Sequence, residues 1–395
     1  MGLEATPSGE RVHIGFFGVR NAGKSSVVNA VTGQDLAVVS NVAGTTTDPV
    51  SKAMELLPLG PVVVVDTPGI DDEGGLGELR VRKARQALRR CDVAVLVVDV
   101  ARGLTDADRM LLNEFAVRKL PHVVALNKAD LLADGQEVEL AQNEVLVSAR
   151  EGTGIFELKE RLGALAASSG HRRLLVSDLL EEGDLVVLVC PIDASAPKGR
   201  LILPQQLVMR DVIDAHASAL VCQPEELRGL LASLVRSPRI VITDSQAFGR
   251  VAAMVPEGVP LTSFSILMAR YKGSLDALVR GAQALASLSD KSRVLISEGC
   301  THHRQCEDIG TVKMPTWIRA YAGADPTFEF TSGGEFPDDP SAYDLVVHCG
   351  GCMLNEREMA HRMAACQAAG VPMVNYGVAI AQMHGILARS LEPFA

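Results

Sequence analysis

The octapeptide Gly18-Val19-Arg20-Asn21-Ala22-Gly23-Lys24-Ser25 stands between an apolar run, Val12–Phe17, and a helix-forming stretch, Lys24–Thr32. A glycine-framed turn that joins a strand to a helix lets successive backbone N–H groups wrap an anion, and the helix N-terminus adds a favourable dipole. Lys24 brings positive charge to the β- and γ-phosphates of a nucleotide, and the Ser25 hydroxyl suits a magnesium ion. A chain that carries this turn must supply a buried parallel strand on one side and a covering helix on the other. That requirement fixes the class of the first part of the molecule before anything else is read.

The rest of the pattern agrees. Apolar runs at Val62–Asp66, Val93–Val98, Val123–Asn127 and Glu144–Ser148 alternate with amphipathic stretches near Leu79–Arg90, Asp106–Lys119 and Ile155–Ala167. This order predicts an α/β fold with a doubly wound parallel sheet. Three more motifs end the expected strands. Asp66-Thr67-Pro68-Gly69 places Asp66 toward magnesium and the Gly69 N–H toward the γ-phosphate. Asn127-Lys128-Ala129-Asp130 offers a carboxylate, Asp130, that accepts from both N1–H and the 2-amino group of guanine, a donor pair adenine lacks. Ser148-Ala149 brings a backbone N–H to the guanine O6. The expected ligand is therefore GTP with Mg2+, held by Asn21 to Ser26 (Asn21, Ala22, Gly23, Lys24, Ser25, Ser26), Asp66, Gly69, Asn127, Lys128, Asp130, Ser148 and Ala149. Position 70 is Ile, which cannot orient water as the glutamine of Ras-like enzymes does, so hydrolysis is expected to be slow. Glu78 is a remote contributor at most, and a first-turn helix acid at the least.

The net charge is −10, which disfavours non-specific binding to nucleic acid or anionic membranes. The cluster Arg80–Arg90, with six basic residues, reads as a solvated helix face. Apolar residues make up 47% but aromatics only 4%, so the cores must be aliphatic. Met1 to Arg11 is polar and no run reaches the roughly 18 apolar residues of a membrane span. A cytoplasmic protein is expected, in which the eight cysteines are ligands or core residues rather than disulfides.

After a small polar stretch, Ala166–Arg172, strand-like runs return at Leu185–Cys190 and Arg239–Thr243, and then at Arg293–Ser297, Tyr343–His348 and Val371–Asn375. Three α/β domains are expected, at residues 1–168, 173–265 and 266–395. The last carries Cys300-Thr301-His302 and His348-Cys349-Gly350-Gly351-Cys352, each directly after a strand. Strand C-termini share one edge of a parallel sheet, so Cys300, Cys349 and Cys352 are expected to converge. Three thiolates with a weak fourth partner suit zinc or a 4Fe–4S cluster, and composition does not choose between them. Cys91, Cys190, Cys222 and Cys366 read as core, and Cys306 as a bystander.

Residues 12–165 resemble the TrmE/Era-type GTPases, including Gly44-Thr45-Thr46-Thr47-Asp48 in the position of their switch I. The resemblance implies that Thr46 is the second magnesium-ligating hydroxyl, that Thr45 also lies against the nucleotide, and that Asn21, with Ser40, Val42 and Thr45, holds a potassium ion that stimulates hydrolysis. Cys300-x-His302, 46 residues, then Cys349-x-x-Cys352 is similar to the cluster signature of the HydF family of FeFe-hydrogenase maturation GTPases. It implies a 4Fe–4S cluster on Cys300, Cys349 and Cys352, with His302 or His348 as fourth ligand. It also implies a homodimer or larger homo-oligomer formed through a dimerisation domain near residues 173–265. The implied role is a scaffold or carrier that takes a diiron precursor from radical-SAM maturation enzymes to apo FeFe-hydrogenase. The front half alone also suggests a different class, a tRNA-modifying or ribosome-assembly GTPase with a structural metal.

Overall fold

Alternation along the first strand sets up the N-terminal unit. In β1 (Val12–Phe17), Ile14 and Phe16 enter one core cluster and Phe17 enters another on the opposite face. Both faces are thus apolar, as a parallel sheet covered on two sides requires. The computed structural model describes residues 6, 8–34, 50–69, 83–133, 136, 138–169, 175–192, 201–272, 275–299 and 309–394.

β1 pairs in parallel with β3 (Gly60–Asp66) and β4 (Val93–Asp99), and β5 (His122–Asn127) and β6 (Glu144–Leu146) extend the sheet on the β4 side. β2 (Val50–Leu56) runs antiparallel on β3, and the order is β2-β3-β1-β4-β5-β6. β2 does not show as an apolar run, because Ser51, Lys52 and Glu55 of this edge strand are exposed. Polar residues on an edge also discourage pairing with a second chain. Helices Lys24–Thr32 and Ile155–Ser169 cover one face through Val27, Val28, Val31, Leu158 and Leu162. Helix Asp106–Val117 covers the other with Leu111 and Phe115. Full burial of a side chain such as Phe115 contributes roughly 1.5–3 kcal/mol. That helix starts where it does because Thr105 and Asp108 cap each other: the Asp108 N–H donates to the Thr105 hydroxyl, and the Thr105 N–H donates to the Asp108 carboxylate at 3.0 Å.

The chain divides into two compact units, Met1–His171 and Arg172–Ala395. The second contains two four-stranded parallel sheets. β7 (Leu185–Val189), β8 (Ser218–Cys222), β9 (Ile240–Thr243) and β10 (Leu261–Ser263) are ordered β10-β9-β7-β8. β11 (Arg293–Glu298), β12 (Thr327–Ser332), β13 (Leu345–His348) and β14 (Met373–Asn375) are ordered β12-β11-β13-β14. β8, β10 and β12 do not show in the sequence as buried runs, being short or partly exposed. The two sheets belong to one unit for a physical reason. Helix Phe264–Tyr271, capped by Ser263, sends Phe264, Leu267 and Met268 into the first core and Ile266 and Ala269 into the second. The C-terminal residues also return to the first sheet, where the Thr262 hydroxyl donates to the Ser390 carbonyl at 2.9 Å and Arg389 donates to the Ala252 carbonyl at 2.8 Å. No described helix is long and apolar enough to cross a membrane.

Candidate functional site

The phosphate loop is shaped by three left-handed or otherwise positive-φ residues, Gly18, Asn21 and Gly23. A Cβ on Gly18 would lie 2.4 Å from the Val97 carbonyl, and one on Gly23 would lie 2.3 Å from the Asn127 amide nitrogen. Only glycine fits at either place. Helix Lys24–Thr32 has Gly23 at its N-cap and no side-chain cap, so its first N–H groups are left to an anion. The Lys24 ammonium lies 2.9 Å from Asp66 Oδ1, and the Ser25 hydroxyl donates to Asp66 Oδ2 at 3.3 Å. Lys24, Ser25 and Asp66 therefore come together at the point where phosphate and a divalent cation would meet. Thr67 is buried and anchors this turn by donating to the Phe16 carbonyl at 2.7 Å, and a Cβ on Gly69 would approach the Arg20 nitrogen to 3.1 Å.

Asn127 ties three loops into one surface. Its amide donates to the Ala22 carbonyl at 3.0 Å, and its side-chain oxygen accepts from the Ala149 N–H at 3.1 Å. The Ser148 hydroxyl donates to Asp130 Oδ1 at 2.6 Å and so holds the carboxylate in one orientation. Lys128, in a left-handed conformation at the turn after β5, donates to Asp99 Oδ2 at 2.7 Å. Burial, the largest single influence, works against ionisation of Asp99, but the hydrogen bonds from Lys128 and the Ala101 N–H together with the Lys128 and Arg102 charges outweigh it and hold the carboxyl below its usual range. Asp99 is the residue of this site that sequence reasoning misses; its only signal is an acid closing an otherwise apolar strand.

The cysteine loop begins at the end of β13. The Cys349 N–H still pairs with the Ser297 carbonyl at 3.0 Å, and its Sγ accepts from the Gly299 N–H at 3.1 Å and the Gly351 N–H at 3.4 Å. Backbone N–H groups aimed at a sulfur favour its thiolate form, the form that binds metal. Gly351 is at φ +64°, and a Cβ there would strike Met359 Sδ at 2.7 Å. Cys349 and Cys352 are part-exposed, whereas Cys91, Cys190, Cys222 and Cys366 are buried. Burial pushes Cys190 and Cys366 up to about 12 and Cys222 up to about 11. These thiols are inert core, and it is by exposure that the loop pair differs from them.

His348 sits wholly buried beneath Cys349. Burial pushes its pKa down to about 3, and the Arg362 charge acts in the same direction. The neutral ring is held at both nitrogens: Nδ1 donates to the Cys349 carbonyl at 2.7 Å, and Nε2 accepts from Arg362 Nη1 at 2.9 Å, a tautomer assigned from these partners. Arg362, itself fully buried, also donates to Glu358 at 2.8 Å and to the Gly333 carbonyl at 2.6 Å. Arg362 and Glu358 are not evident from the sequence, where they look like an ordinary helical i,i+4 pair.

Comparison with known proteins agrees with this division. Residues 13–128 match the model of the 50S ribosome-binding GTPase family, residues 175–273 the hydrogen maturase F dimerization domain, and residues 276–393 the hydrogen maturase F tetramerization domain. The two maturase domains follow one another and together span more than half of the 395 residues. The chain belongs to the HydF family. Its front part is also similar to the tRNA modification GTPase MnmE of Chromobacterium violaceum, 36% identical over 41% of this chain and 36% of that protein. The MnmE of Xanthomonas euvesicatoria pv. vesicatoria is 40% identical over 40% of this chain and 35% of that protein. The chain thus spans about a third of the length of these curated relatives. A solved structure of an Aquifex aeolicus Era variant with GDP.AlF4- is 19% identical, covers 61% of this chain and 97% of its own, and has a TM-score of 0.35.

In this HydF chain the described residues bring together Asn21, Ala22, Lys24, Ser25, Asp66, Gly69, Asn127, Asp130, Ser148 and Ala149 in one place, and Cys349 and Cys352 in another. Ser40, Val42, Thr45, Thr46, Ile70, Glu78, Cys300, His302 and Cys306 lie outside the described residues. Among the described residues no three metal-ligating side chains gather. His348, named from sequence as a possible fourth ligand, has neither ring nitrogen turned to the loop's sulfurs; it supports the loop from below.

Proposed function

We propose that this chain binds and hydrolyses GTP and serves as a scaffold or carrier that assembles or delivers the diiron precursor to apo FeFe-hydrogenase. The observation that carries the metal half is the Gly299 N–H on Cys349 Sγ at 3.1 Å: the strand that leads into Cys300 ends against the sulfur of Cys349. The part-exposed sulfurs of Cys349 and Cys352, the first of them polarised by two backbone N–H groups, fit a soft, thiolate-binding metal group. With Cys300 they would hold a 4Fe–4S cluster, which supplies one iron with an exchangeable position. His302 is the better candidate for that position, since the nitrogens of His348 are engaged. The chain's own part is to polarise the Cys349 sulfur through Gly299 and Gly351 and to hold the Cys349 carbonyl through His348.

In the nucleotide site, Lys24 would face the β- and γ-phosphates, while Ser25 and Thr46 would ligate Mg2+ with Asp66 behind it. Asp130 would read guanine with the oxygen that Ser148 leaves available. Asn21 would hold K+ beside the phosphates with Ser40, Val42 and Thr45, and hydrolysis would be slow in sodium and several-fold faster in potassium. Equal rates in the two salts would remove the potassium assignment. The domains named for dimerization and tetramerization support a homo-oligomer, and radical-SAM enzymes are the expected donors of the precursor, in the cytoplasm.

The deciding experiment is activation of apo-hydrogenase by this protein loaded with a diiron precursor, with iron content measured on the same anaerobic sample. Iron binding and activation support the carrier. A colourless zinc protein that activates nothing would leave the TrmE/Era-like reading, a tRNA or ribosome GTPase with a structural metal.

A further inference from the structure

One buried cation stands behind the cysteine loop and comes from a different part of the chain. Lys272 caps the C-terminal end of helix Phe264–Tyr271, where its N–H bonds the Met268 carbonyl at 3.0 Å. Its side chain is only 6% exposed. The ammonium donates to the carbonyl of Leu354 at 3.1 Å, two residues beyond Cys352. Lys272 closes the region matched by the dimerization domain, whereas Cys352 and Leu354 lie in the region matched by the tetramerization domain.

We propose that Lys272 is a positioning residue of the metal site: it ties the Cys349–Leu354 turn to the helix of the middle domain and sets the charge environment of the metal group that Cys349 and Cys352 hold. The inference rests on the metal reading of that loop. Its geometry has two parts. The hydrogen bond to Leu354 fixes the far end of the turn, as the His348–Cys349 bond fixes the near end. The Leu354 carbonyl is two residues from Cys352, so the ammonium stands at the end of the turn that carries this sulfur.

The consequence is electrostatic. A lysine is rarely buried this fully, because losing water penalises its charge. The Leu354 carbonyl and the Tyr271 ring, 5.3 Å from the ammonium, offset part of that penalty. A metal-bound thiolate at Cys352 would offset more, since in a low-dielectric setting the attraction is stronger than at the surface. Reduction of an iron–sulfur cluster adds one negative charge. A fixed ammonium beside it stabilises the reduced form more than the oxidised form and raises the potential, since net charge and hydrogen bonding are what set it.

The test uses the full-length protein, reconstituted anaerobically with iron and sulfide, as wild type, Lys272→Met and Lys272→Arg. Iron content and the midpoint potential from a redox titration followed by electron paramagnetic resonance are the readouts. The expected result is that the Met variant keeps its iron but its midpoint moves negative by about 59 mV, a tenfold shift in a one-electron equilibrium, while the Arg variant stays near wild type. Loss of iron in the Met variant alone would also support the charge role. An iron-loaded Met variant with the wild-type potential would overturn it, as would loss of iron in both variants, which marks a packing role. Absence of a cluster in the wild type would fail the metal reading itself, before any variant is compared.

Discussion

The nucleotide site and the cysteine loop stand at the same kind of place, the C-terminal ends of parallel strands, and are built in opposite ways. In the first, the receiving surface is backbone. Gly18, Asn21 and Gly23 take up positive φ, and the loops are held in register by Asn127, bonded to Ala22 and Ala149, and by Ser148, bonded to Asp130. In the second, the proposed ligands are side chains on a short turn, and what is built is the support underneath: Arg362, Glu358 and His348, all buried. A site for a large anion is thus specified by where N–H groups point, and the proposed soft-metal site by which atoms stand at the rim and what holds them there. Changes at the rim should then remove a ligand without disturbing the fold, changes below it should disturb the fold, and neither should reach the nucleotide.

The rim gives the largest expected effect. Cys349→Ala should remove most of the bound iron, because it deletes the sulfur that accepts from both Gly299 and Gly351. GTP hydrolysis should stay near wild type, since its residues lie in the other compact unit. Iron analysis and a hydrolysis assay on one preparation decide this. A Cys349→Ala protein with its full iron complement would break the comparison at its metal end.

Below the rim, Arg362→Met should destabilise the second unit by roughly 3–5 kcal/mol, the cost of breaking a buried ion pair. The change leaves the Glu358 carboxylate, His348 Nε2 and the Gly333 carbonyl without their donor. Trp317 is the only tryptophan and lies in the second unit, so its fluorescence in a urea titration reports this unit directly. A midpoint equal to wild type would show that the network contributes little to the fold. GTP affinity should not change.

The nucleotide site should respond on a smaller scale. Asp130→Asn removes the acceptor for two guanine donors and should weaken GTP binding by about 1.5–3 kcal/mol, roughly 10- to 150-fold. The variant should fold normally, because Asn can still accept from Ser148. Calorimetric titration with GTP measures the loss, and an unchanged affinity would remove Asp130 from base recognition.

These residues also show what the sequence makes legible. The phosphate loop can be read because its constraint is conformational: a Cβ at Gly18 would meet the Val97 carbonyl, so glycine at that spacing reports a backbone shape. The five parallel strands of the first sheet can be read because their residues are largely apolar, and β2 cannot because its exposed residues are mostly polar. Cys349 and Cys352 are legible from their spacing and strand context. Arg362, Glu358 and Lys272 are not, because nothing local separates a buried charge from a solvated one on a helix. Only the packing of helices Glu356–Ala368 and Phe264–Tyr271 buries them. The expected boundary near residue 265 falls at Phe264–Tyr271, a helix that fills two cores at once, which apolar periodicity alone does not reveal.

The smallest effect tests whether that helix is anchored independently of the cysteine loop. Arg270 donates to Asp178 Oδ1 at 2.8 Å and to the Leu175 carbonyl at 3.2 Å, at the opposite side of the helix end from the Lys272–Leu354 contact. The hydrogen bond from Arg270 is the chief cause of the lowered Asp178 pKa, with burial opposing it. The pair is part-exposed, so its worth is on the order of 1 kcal/mol or less. The sign follows from the direction of the shift. A carboxyl whose folded pKa lies below its unfolded value of 3.8 stabilises the fold above that pH, and the contribution is lost as pH falls through the folded pKa. Asp178→Asn should therefore lower the urea midpoint of the metal-free protein slightly near neutral pH. The gap to wild type should close in acid, where Asp178 itself is protonated. Iron content after reconstitution at neutral pH should be the same in both proteins. A gap that persists in acid would show that the variant acts through packing rather than charge. A loss of iron would show that the two anchors of the helix, Asp178 on one side and Leu354 on the other, are coupled, and that support for the metal loop extends into the middle of the chain.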